Sequence, residues 1–329
     1  MVEDARAYWV VEPGHGEIRP ASLGEPGAND VLVRTLWSGI SRGTESLVFD
    51  GRVPEREYDT MAAPFQEGRL PGPVKYGYLN VGTVEHGPAE LAGQTVFCLY
   101  PHQTRYVVPA SAVVPVPADV PARRAVLAGT VETAVNVAWD AAPLVGDRIA
   151  VVGAGMVGSC VARLLGQIPG VRMTLIDVDQ DRARVADAFG IDFATPGEAP
   201  GGHDLVIHTS ATSEGLARSL ELLRPEGRVI DASWYGDAPV TLPLGEAFHS
   251  ARLTIQASQV GAVALARRDS RTYRDRLGLA LELLADPTYE VLLTGSSTFD
   301  ELPETMAAIA SGSLEGLCHT IDYAQGGEA

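Results

Sequence analysis

Residues 148–158 read RIAVVGAGMVG and carry the strongest indication of the fold in this sequence. An apolar run typical of a buried strand leads into the pattern G-x-G-x-x-G, formed by Gly153, Gly155 and Gly158, and then into apolar residues at helical spacing. The first glycine supplies a tight turn, the second lets the backbone approach a pyrophosphate, and the third permits close helix packing. Phosphate is also favoured by the free N–H groups of a helix start, here at Met156 and Val157. The stretch predicts a dinucleotide-binding turn; the alternative is a purely structural glycine turn.

An acidic residue follows where the next strand is predicted to end. Asp177 lies 24 residues after Gly153 (177 − 153), close to the usual interval of about 20. A carboxylate at this place accepts hydrogen bonds from the adenosine ribose hydroxyls and repels the 2′-phosphate of NADP. We therefore predict NAD as the cofactor. Arg182 lies nearby in the sequence and could accommodate a phosphate, so NADP is the second option. The alternative for Asp177 is a solvated acid at a strand end.

Strand and helix patterns alternate from about Arg123 onward. Apolar runs predict strands at 148–152, 173–178, 205–208, 228–232 and 253–257. Helical spacing is found at 156–165, 181–189 and 214–223, with Gly190 and Pro225 as stop signals. Such alternation predicts a parallel sheet covered by helices on both faces.

Short Val-rich runs separated by turn residues occupy the first 120 residues. They fall at 31–36, 81–85, 95–99, 106–108 and 113–116 and predict a mostly antiparallel β domain. Residues 50–73 form a long charged segment, for which we expect a lid or a surface excursion. After about residue 260 the pattern is mixed, with helices predicted at 274–284 and 303–310 and a strand at 319–323.

Composition narrows the class of partner. The 329 residues carry a formal charge of −17, so a phosphate backbone and an anionic membrane are repelled, and we expect a small-molecule partner rather than nucleic acid or membrane. We expect Cys98, Cys160 and Cys318, which lack CxxC spacing, to be buried apolar residues. The first residues do not resemble a secretory signal, and no apolar run approaches the roughly 20 residues of a membrane span. A cytoplasmic protein is expected.

Several segments together resemble the medium-chain dehydrogenase/reductases. GYLNVGTVE, GQTVFCLYPHQTRYVVPASAVVPVPADV, GDRIAVVGAGMVG and LIDVDQDRARVADAFG follow that superfamily's order and spacing. The resemblance implies an α/β protein with a GroES-like β-rich catalytic domain at 1–130 and 260–329, a doubly wound Rossmann domain at 131–259, and a homodimer. SGISRGTESL and GTVETAVNVAWDA look most like enzymes of bacteriochlorophyll synthesis that oxidise a tetrapyrrole hydroxyethyl group to acetyl.

The zinc-binding members of that superfamily differ from this chain at the metal ligands. Their catalytic zinc is held by two cysteines and a histidine, and the matching places here are Ser41, Gly129 and Tyr78. A hydroxyl, a missing side chain and a phenol do not replace thiolates and imidazole as zinc ligands. The structural zinc lobe with its four cysteines is also missing. The sequence therefore predicts that both the catalytic zinc and the structural zinc are absent.

Without zinc, side chains have to polarise the substrate oxygen. Tyr78 is the first candidate for proton transfer, because a neighbouring arginine or cofactor charge could lower its pKa toward the working pH. The alternative is a ring filling the vacated metal cavity. Ser41 lies at a vacated ligand position, and Glu45 and Glu132 flank the same region and could form a relay, although Glu132 also suits a helix start. His102 is a further titratable candidate, but lone histidines are more often structural.

Further cofactor contacts are implied by motif position in the resemblance. Arg42 matches a residue that reaches the pyrophosphate, and Thr133 matches a threonine that faces the nicotinamide. Ser233 and Ser258 end the fifth and sixth Rossmann strands, where backbone groups hold the carboxamide. His319 falls where a basic residue lies near the phosphates.

Together these features predict a zinc-independent NAD(H)-dependent oxidoreductase. It would interconvert a secondary alcohol and a ketone on a polyol-like or ring-bearing substrate. The alternatives are an enone or quinone reductase of the zinc-free branch and a non-catalytic NAD(H)-binding protein.

Overall fold

The structure is a computed structural model that describes residues 5–324. The chain divides into a first unit, residues 1–129, 281–286 and 293–329, and a second unit, residues 130–280 and 287–292. The strands are β1 (Ala5–Glu12), β2 (His15–Ala21), β3 (Asp30–Ile40), β4 (Glu67–Gly68), β5 (Val74–Lys75), β6 (Asn80–His86), β7 (Thr95–Cys98), β8 (Arg105–Pro109), β9 (Val113–Pro115), β10 (Arg148–Val152), β11 (Arg172–Ile176), β12 (Asp192–Ala194), β13 (His203–His208), β14 (Leu223–Asp231), β15 (Thr254–Ala257), β16 (Leu293–Thr298) and β17 (Cys318–Asp322). The α-helices are α1 (Arg42–Phe49), α2 (Ala122–Ala125), α3 (Ala128–Ala141), α4 (Met156–Gly166), α5 (Ala183–Phe189), α6 (Ser213–Glu221), α7 (Ala247–Ser250), α8 (Tyr273–Leu283) and α9 (Leu302–Ala310).

The second unit is built on a parallel sheet with the strand order β12-β11-β10-β13-β14-β15. Val152 at the end of β10 pairs with Ile176 of β11 on one side and with His208 of β13 on the other. The direction of strand order therefore reverses between β10 and β13. In doubly wound sheets, ligands bind outside the carboxyl ends of the strands at such a switch point.

Helices of this unit pack on the sheet through apolar faces. Leu216 and Leu220 of α6 join a buried cluster with Val152 of β10 and Val206 of β13. Thr212 starts α6 by accepting a hydrogen bond from the backbone N–H of Gly215 at 3.0 Å, as a helix N-cap does. These contacts place the start of α6 beside the carboxyl ends of the strands.

The first unit contains two sheets. One has the order β2-β1-β5-β4, and the other has the order β16-β17-β3-β6-β7-β9, with β8 also pairing with β3. A core of Val33, Val96, Tyr106 and Val108 lies within the second of these sheets. The structure therefore combines a β-rich unit with a Rossmann-type unit, and the predicted α/β fold class is confirmed.

Most elements lie where the sequence pattern predicts them, with shifted ends. β10 begins and ends at the predicted residues, whereas the strand predicted at 173–178 ends at Ile176 and leaves Val178 83% exposed. The segment 50–73 contains β4, which pairs with β5, and its Phe65 ring lies 5.4 Å from that of Tyr100. This segment is attached to the first unit, and its role as a lid stays a prediction. All three cysteines are buried.

The segment 260–280 lies in the second unit rather than in the catalytic domain predicted at 1–130 and 260–329. Arg276 of α8, which is almost completely buried, donates to Glu132 Oε1 of α3 at 3.0 Å and to Asn136 Oδ1 at 2.6 Å. Its guanidinium also donates to the carbonyls of Val260 and Ala262 at 2.6 and 3.3 Å. One buried cation therefore attaches the whole segment to α3.

We predict that Glu132→Gln destabilises the protein strongly. Removing one partner of a buried ion pair leaves an uncompensated charge, which costs about 3–5 kcal/mol. Urea denaturation measures the change in the free energy of unfolding. Glu221→Gln is the control, because Glu221 pairs with Arg218 on the surface and such pairs contribute about 0–1 kcal/mol. Equal effects of the two variants would contradict a structural role for Glu132.

Candidate functional site

The glycine-rich turn lies at the switch point of the parallel sheet. Gly153 follows β10 with φ +106°, a conformation that favours glycine, and its backbone N–H donates to the carbonyl of Ile176 at 2.8 Å. Gly155 is the N-cap of α4, and Met156 and Val157 form the first turn of that helix. The predicted strand, turn and helix are present in that order.

The three glycines have different surroundings. A Cβ added at Gly158 would lie 1.9 Å from the carbonyl oxygen of Gly153, so only glycine lets α4 approach the turn. A Cβ at Gly153 would lie 2.8 Å from the backbone nitrogen of Ser210. At Gly155 a Cβ would meet no atom within 4 Å. Gly153 and Gly158 are therefore required by packing, whereas the absent side chain at Gly155 leaves open space.

Asp177 closes one side of this turn. Its Oδ2 accepts from the backbone N–H of Ala154 at 2.6 Å and its Oδ1 from that of Asp179 at 2.9 Å. The carboxylate is thus fixed one residue from the open space at Gly155. The guanidinium of Arg182 lies 3.1 Å from Asp179.

Three other predicted cofactor contacts lie in the second unit. Thr133 is half-buried on α3. The hydroxyl of Ser233 accepts from the backbone N–H of Ala211 at 3.1 Å, and Ser258 donates to Asp140 Oδ2 at 2.6 Å. Both serine side chains therefore have protein partners, and their contact with a carboxamide stays a prediction.

Arg42 and His319 lie in the first unit. The guanidinium of Arg42 donates to the carbonyl of Leu314, and His319 Nε2 lies 2.8 Å from Ser297 Oγ. Burial, together with the nearby guanidinium groups of Arg42 and Arg123, lowers the pKa of His319. Its imidazole is therefore largely neutral at pH 7, whereas the guanidinium of Arg42 is charged, and the phosphate contacts predicted for both residues stay predictions.

Four of the five acid–base candidates lie together in the first unit. The phenol of Tyr78 donates to Ser41 Oγ at 2.5 Å, and the Ser41 backbone N–H donates to Glu45 Oε1 at 2.7 Å. His102 Nε2 lies 2.9 Å from Glu45 Oε2, and both of these side chains are buried. The group connects a hydroxyl pair, Tyr78 and Ser41, to a buried carboxylate–imidazole pair.

The network continues through two residues that sequence reasoning missed. Ser38 Oγ lies 2.7 Å from His102 Nδ1 and 3.0 Å from the phenol oxygen of Tyr323. One consistent assignment has Nε2–H of His102 donating to Glu45, while Nδ1 accepts from Ser38. No motif marks Ser38 or Tyr323; β17 brings Tyr323 near Ser38 because it pairs with β3.

The surroundings of Tyr78 act on its pKa in the direction opposite to expectation. Burial raises the pKa of Tyr78 to about 12; the hydrogen bonds with Ser41 and Thr44 oppose the shift, and the Glu45 charge adds to it. No arginine contributes to the shift. The phenol therefore keeps its proton at neutral pH and is suited to donate it.

Glu132, the fifth candidate, is separate from this network. Its carboxylate is held by Arg276 in the second unit, where burial raises its pKa and the guanidinium lowers it. This arrangement is that of a structural ion pair.

The positions that match zinc ligands do not fit the metal. Ser41 and Tyr78 are hydrogen-bonded to each other, and a Cβ at Gly129 would lie 2.5 Å from Leu79 Cδ2, in space that a cysteine would need. Within residues 5–324, no group of three His, Cys, Asp or Glu side chains is arranged to hold a metal ion.

A polar cavity of about 340 Å³ in the first unit was not anticipated. Trp9, Tyr100 and the almost completely buried Lys75 line it. The ammonium of Lys75 donates to Glu67 and, at 2.7 Å, to Gln103 Oε1. Burial lowers the pKa of Lys75, and Glu67 opposes that shift. None of the predicted site residues lines this cavity.

No helix in the described part of the chain is long and apolar enough to cross a membrane.

The fold is shared with solved dehydrogenase structures. L-idonate 5-dehydrogenase from Escherichia coli superposes with a TM-score of 0.80 at 16% identity, covering 97% of this chain and 98% of that one. An E. coli protein described as a short chain alcohol dehydrogenase, in complex with NADH, gives a TM-score of 0.77 at 16% identity, covering 97% of this chain and 99% of that one. A Sinorhizobium meliloti protein described as a zinc-binding dehydrogenase, bound to NADP, gives 0.77 at 15% identity, covering 98% and 100%.

The chain matches no protein-family model and no curated protein. The structural likenesses nevertheless extend over almost the whole chain and include both units. The chain therefore shares the fold of these dehydrogenase structures, a GroES-like β-rich unit together with a Rossmann-type unit.

Proposed function

We propose that this protein is a zinc-independent NAD(H)-dependent oxidoreductase that interconverts a secondary alcohol and a ketone. The observation that carries the proposal is the glycine-rich turn at the switch point, where Gly155 leaves open space at the start of α4. Backbone N–H groups and the positive end of a helix dipole suit a pyrophosphate in that space. Structural neighbours that are bound to NADH and to NADP support a nicotinamide cofactor.

Asp177 supports NAD rather than NADP. Its carboxylate is fixed beside the turn by two backbone N–H groups, where it would accept ribose hydroxyls. A 2′-phosphate at the same place would face a negative charge that cannot move away without losing those hydrogen bonds. The guanidinium of Arg182 already pairs with Asp179, so it would offset the repulsion between Asp177 and a 2′-phosphate only weakly.

Tyr78 and Ser41 are the proposed groups for proton transfer. When a ketone is reduced, the neutral phenol donates its proton to the developing alkoxide; when an alcohol is oxidised, a proton has to move in the other direction. Glu45 hydrogen-bonds both the Ser41 backbone and His102. We therefore assign Glu45 and His102 to positioning the hydroxyls of Tyr78 and Ser41. Zinc independence follows from the ligand positions, since a hydroxyl and a phenol that bond each other make a poor zinc site.

The proposed substrate class is the one that the sequence predicts. A polyol-like or ring-bearing secondary alcohol is proposed, and the segments SGISRGTESL and GTVETAVNVAWDA favour a hydroxyethyl group on a tetrapyrrole. The homodimer and the cytoplasmic location also stay predictions.

The function is tested by following nicotinamide absorbance with panels of alcohols, ketones and enones, using protein treated with a chelator. We expect turnover with a secondary alcohol or ketone and tighter binding of NADH than of NADPH. Asp177→Ala should narrow that difference. Stoichiometric zinc in the purified protein, with activity lost to the chelator, would reject zinc independence. Activity confined to enones would assign the protein to the reductases instead.

Gly155→Val is predicted to abolish cofactor binding while the protein stays folded. The new Cβ meets no protein atom within 4 Å, but it occupies the space proposed for the pyrophosphate. We expect the Kd for NADH to rise at least ~100-fold with little change in Tm. Gly158→Ala is the contrasting variant, because its Cβ collides with the Gly153 carbonyl and should lower Tm. Unchanged NADH affinity in Gly155→Val would reject the site.

Tyr78→Phe is predicted to cut turnover at least ~10-fold with NADH affinity unchanged, since loss of an acid–base group lowers the rate by about 10²–10⁴. Because the pKa of Tyr78 is about 12, ketone reduction should not fall through ionisation of this phenol between pH 7 and 10. Alcohol oxidation through the phenolate should rise about tenfold per pH unit over that range.

Tyr76→Phe is the matched control, because it removes a neighbouring phenol that donates to the Met61 carbonyl. Its turnover should stay within about twofold of the wild type. If Tyr78→Phe also turns over normally, Tyr78 only fills space, and Glu45→Gln then tests whether the proton passes through Glu45.

A further inference from the structure

A buried histidine in the second unit connects a serine and an aspartate. His208 Nε2 lies 2.8 Å from Ser210 Oγ, and His208 Nδ1 lies 2.9 Å from Asp231 Oδ1. The imidazole is completely buried, whereas Ser210 is half-buried. A nucleophile within hydrogen-bond reach of a base, with the base oriented by a third group, is the arrangement of nucleophilic catalysis. The proposed oxidoreductase chemistry does not use these three residues.

The carboxylate of Asp231 is itself held in place. Its Oδ1 accepts from the Ser233 backbone N–H at 3.0 Å, and its Oδ2 accepts from the phenol of Tyr235 at 2.9 Å. Burial alone would raise the pKa of Asp231, but the hydrogen bonds from His208, Ser233 and Tyr235 outweigh burial and lower it. Asp231 is therefore an anion at neutral pH. It favours the tautomer in which Nδ1 of His208 carries the proton and Nε2 accepts from Ser210.

Backbone topology brings the three residues together. His208 and Asp231 are register partners at the carboxyl ends of the adjacent parallel strands β13 and β14. Ser210 lies two residues after β13, in the turn that leads into α6. The positive end of the α6 dipole favours negative charge developing near this turn.

A glycine lets α6 pack closely against the serine hydroxyl and the histidine. A Cβ at Gly215 of α6 would lie 2.1 Å from Ser210 Oγ and 3.0 Å from His208 Nε2. The hydroxyl of Thr212, which lies 3.1 Å from Ser210 Oγ, is the other close polar group.

We propose that Ser210, His208 and Asp231 form a second catalytic site that cleaves carboxylic esters. Ser210 Oγ attacks the ester carbonyl carbon while its proton passes to His208 Nε2, and the C–O bond to the alcohol breaks as that proton is returned to the leaving oxygen. Water then attacks the acyl-serine by the same route, which yields the carboxylic acid and restores the serine. The step needs no reactant other than the ester and water.

This site does not depend on the proposed oxidoreductase function, but it shares an edge of the sheet with the dinucleotide turn. The backbone nitrogen of Ser210 is close to Gly153, as the 2.8 Å distance to a Cβ built there shows. A bound dinucleotide is therefore expected to shield the serine.

A fluorophosphonate probe tests the proposal directly, because an activated serine displaces fluoride from its phosphorus atom. We expect labelling of the intact wild-type protein on the peptide that contains Ser210, and hydrolysis of p-nitrophenyl acetate above the buffer rate. Ser210→Ala should lose both, and His208→Asn should lower the labelling rate at least ~100-fold. Ser213→Ala removes a nearby serine hydroxyl at the first residue of α6; it is the matched control, and its Ser210 should label normally.

A second variant separates loss of chemistry from loss of fold. Ser210→Cys retains a nucleophile, and the three native cysteines are buried. Its thiol should react with iodoacetamide at least ~10-fold faster than the same variant carrying His208→Asn, provided that both melt as one cooperative transition. Absence of probe on Ser210 in folded wild-type protein, or equal rates for the two cysteine variants, would overturn the proposal.

One further measurement distinguishes failure of the proposed esterase site from failure of the proposed dinucleotide site. NADH should slow labelling of Ser210 in the wild type, and Gly155→Val should remove this protection while labelling itself persists. Labelling that NADH does not slow would contradict the expected shielding of Ser210 by a dinucleotide at the glycine-rich turn.

Discussion

The close approach of α4 to the turn after β10 is the constraint on which the second unit depends. A Cβ at Gly158 would lie 1.9 Å from the Gly153 carbonyl, and a Cβ at Gly153 would meet the backbone of Ser210. Two glycines thus bring α4, the turn after β10 and the segment that follows β13 within van der Waals contact. The third glycine has no packing reason to lack a side chain. Its open space at a helix start is what makes this edge of the sheet suitable for a phosphate.

Three pairs of largely buried titratable side chains lie within the two units. Glu45 with His102, Glu132 with Arg276, and His208 with Asp231 each join a titratable side chain to a partner within 3.0 Å. A buried charge without a partner is costly, so each pair stabilises the positions of the segments that supply it. The pairs differ in what surrounds them. Arg276, the partner of Glu132, contacts an amide and backbone carbonyls. The two histidines each contact a serine hydroxyl, and a histidine between a carboxylate and a hydroxyl is suited to proton transfer.

Local patterns predicted the elements well because they depend on short-range chemistry. The run at 148–158 specifies its strand, turn and helix without reference to the rest of the chain, and Asp177 is found by spacing alone. The patterns failed where a side chain acts over a long separation. Nothing near Glu132 indicates that Arg276, 144 residues later, neutralises it. The pKa of Tyr78 likewise depends on burial, which no motif encodes.

Glycine spacing, strand periodicity and the identity of single side chains are local features, and from them the sequence predicts the order of elements, the glycine-rich turn and the residues at the positions that match zinc ligands. Which polar residues meet depends on the tertiary structure. Ser38 and Tyr323 are 285 residues apart and join His102 through the pairing of β3 with β17. His208 and Asp231 meet through the register of two parallel strands. Strand register and burial are properties of the whole folded chain, and they set hydrogen-bond partners and pKa values that residue type alone leaves open.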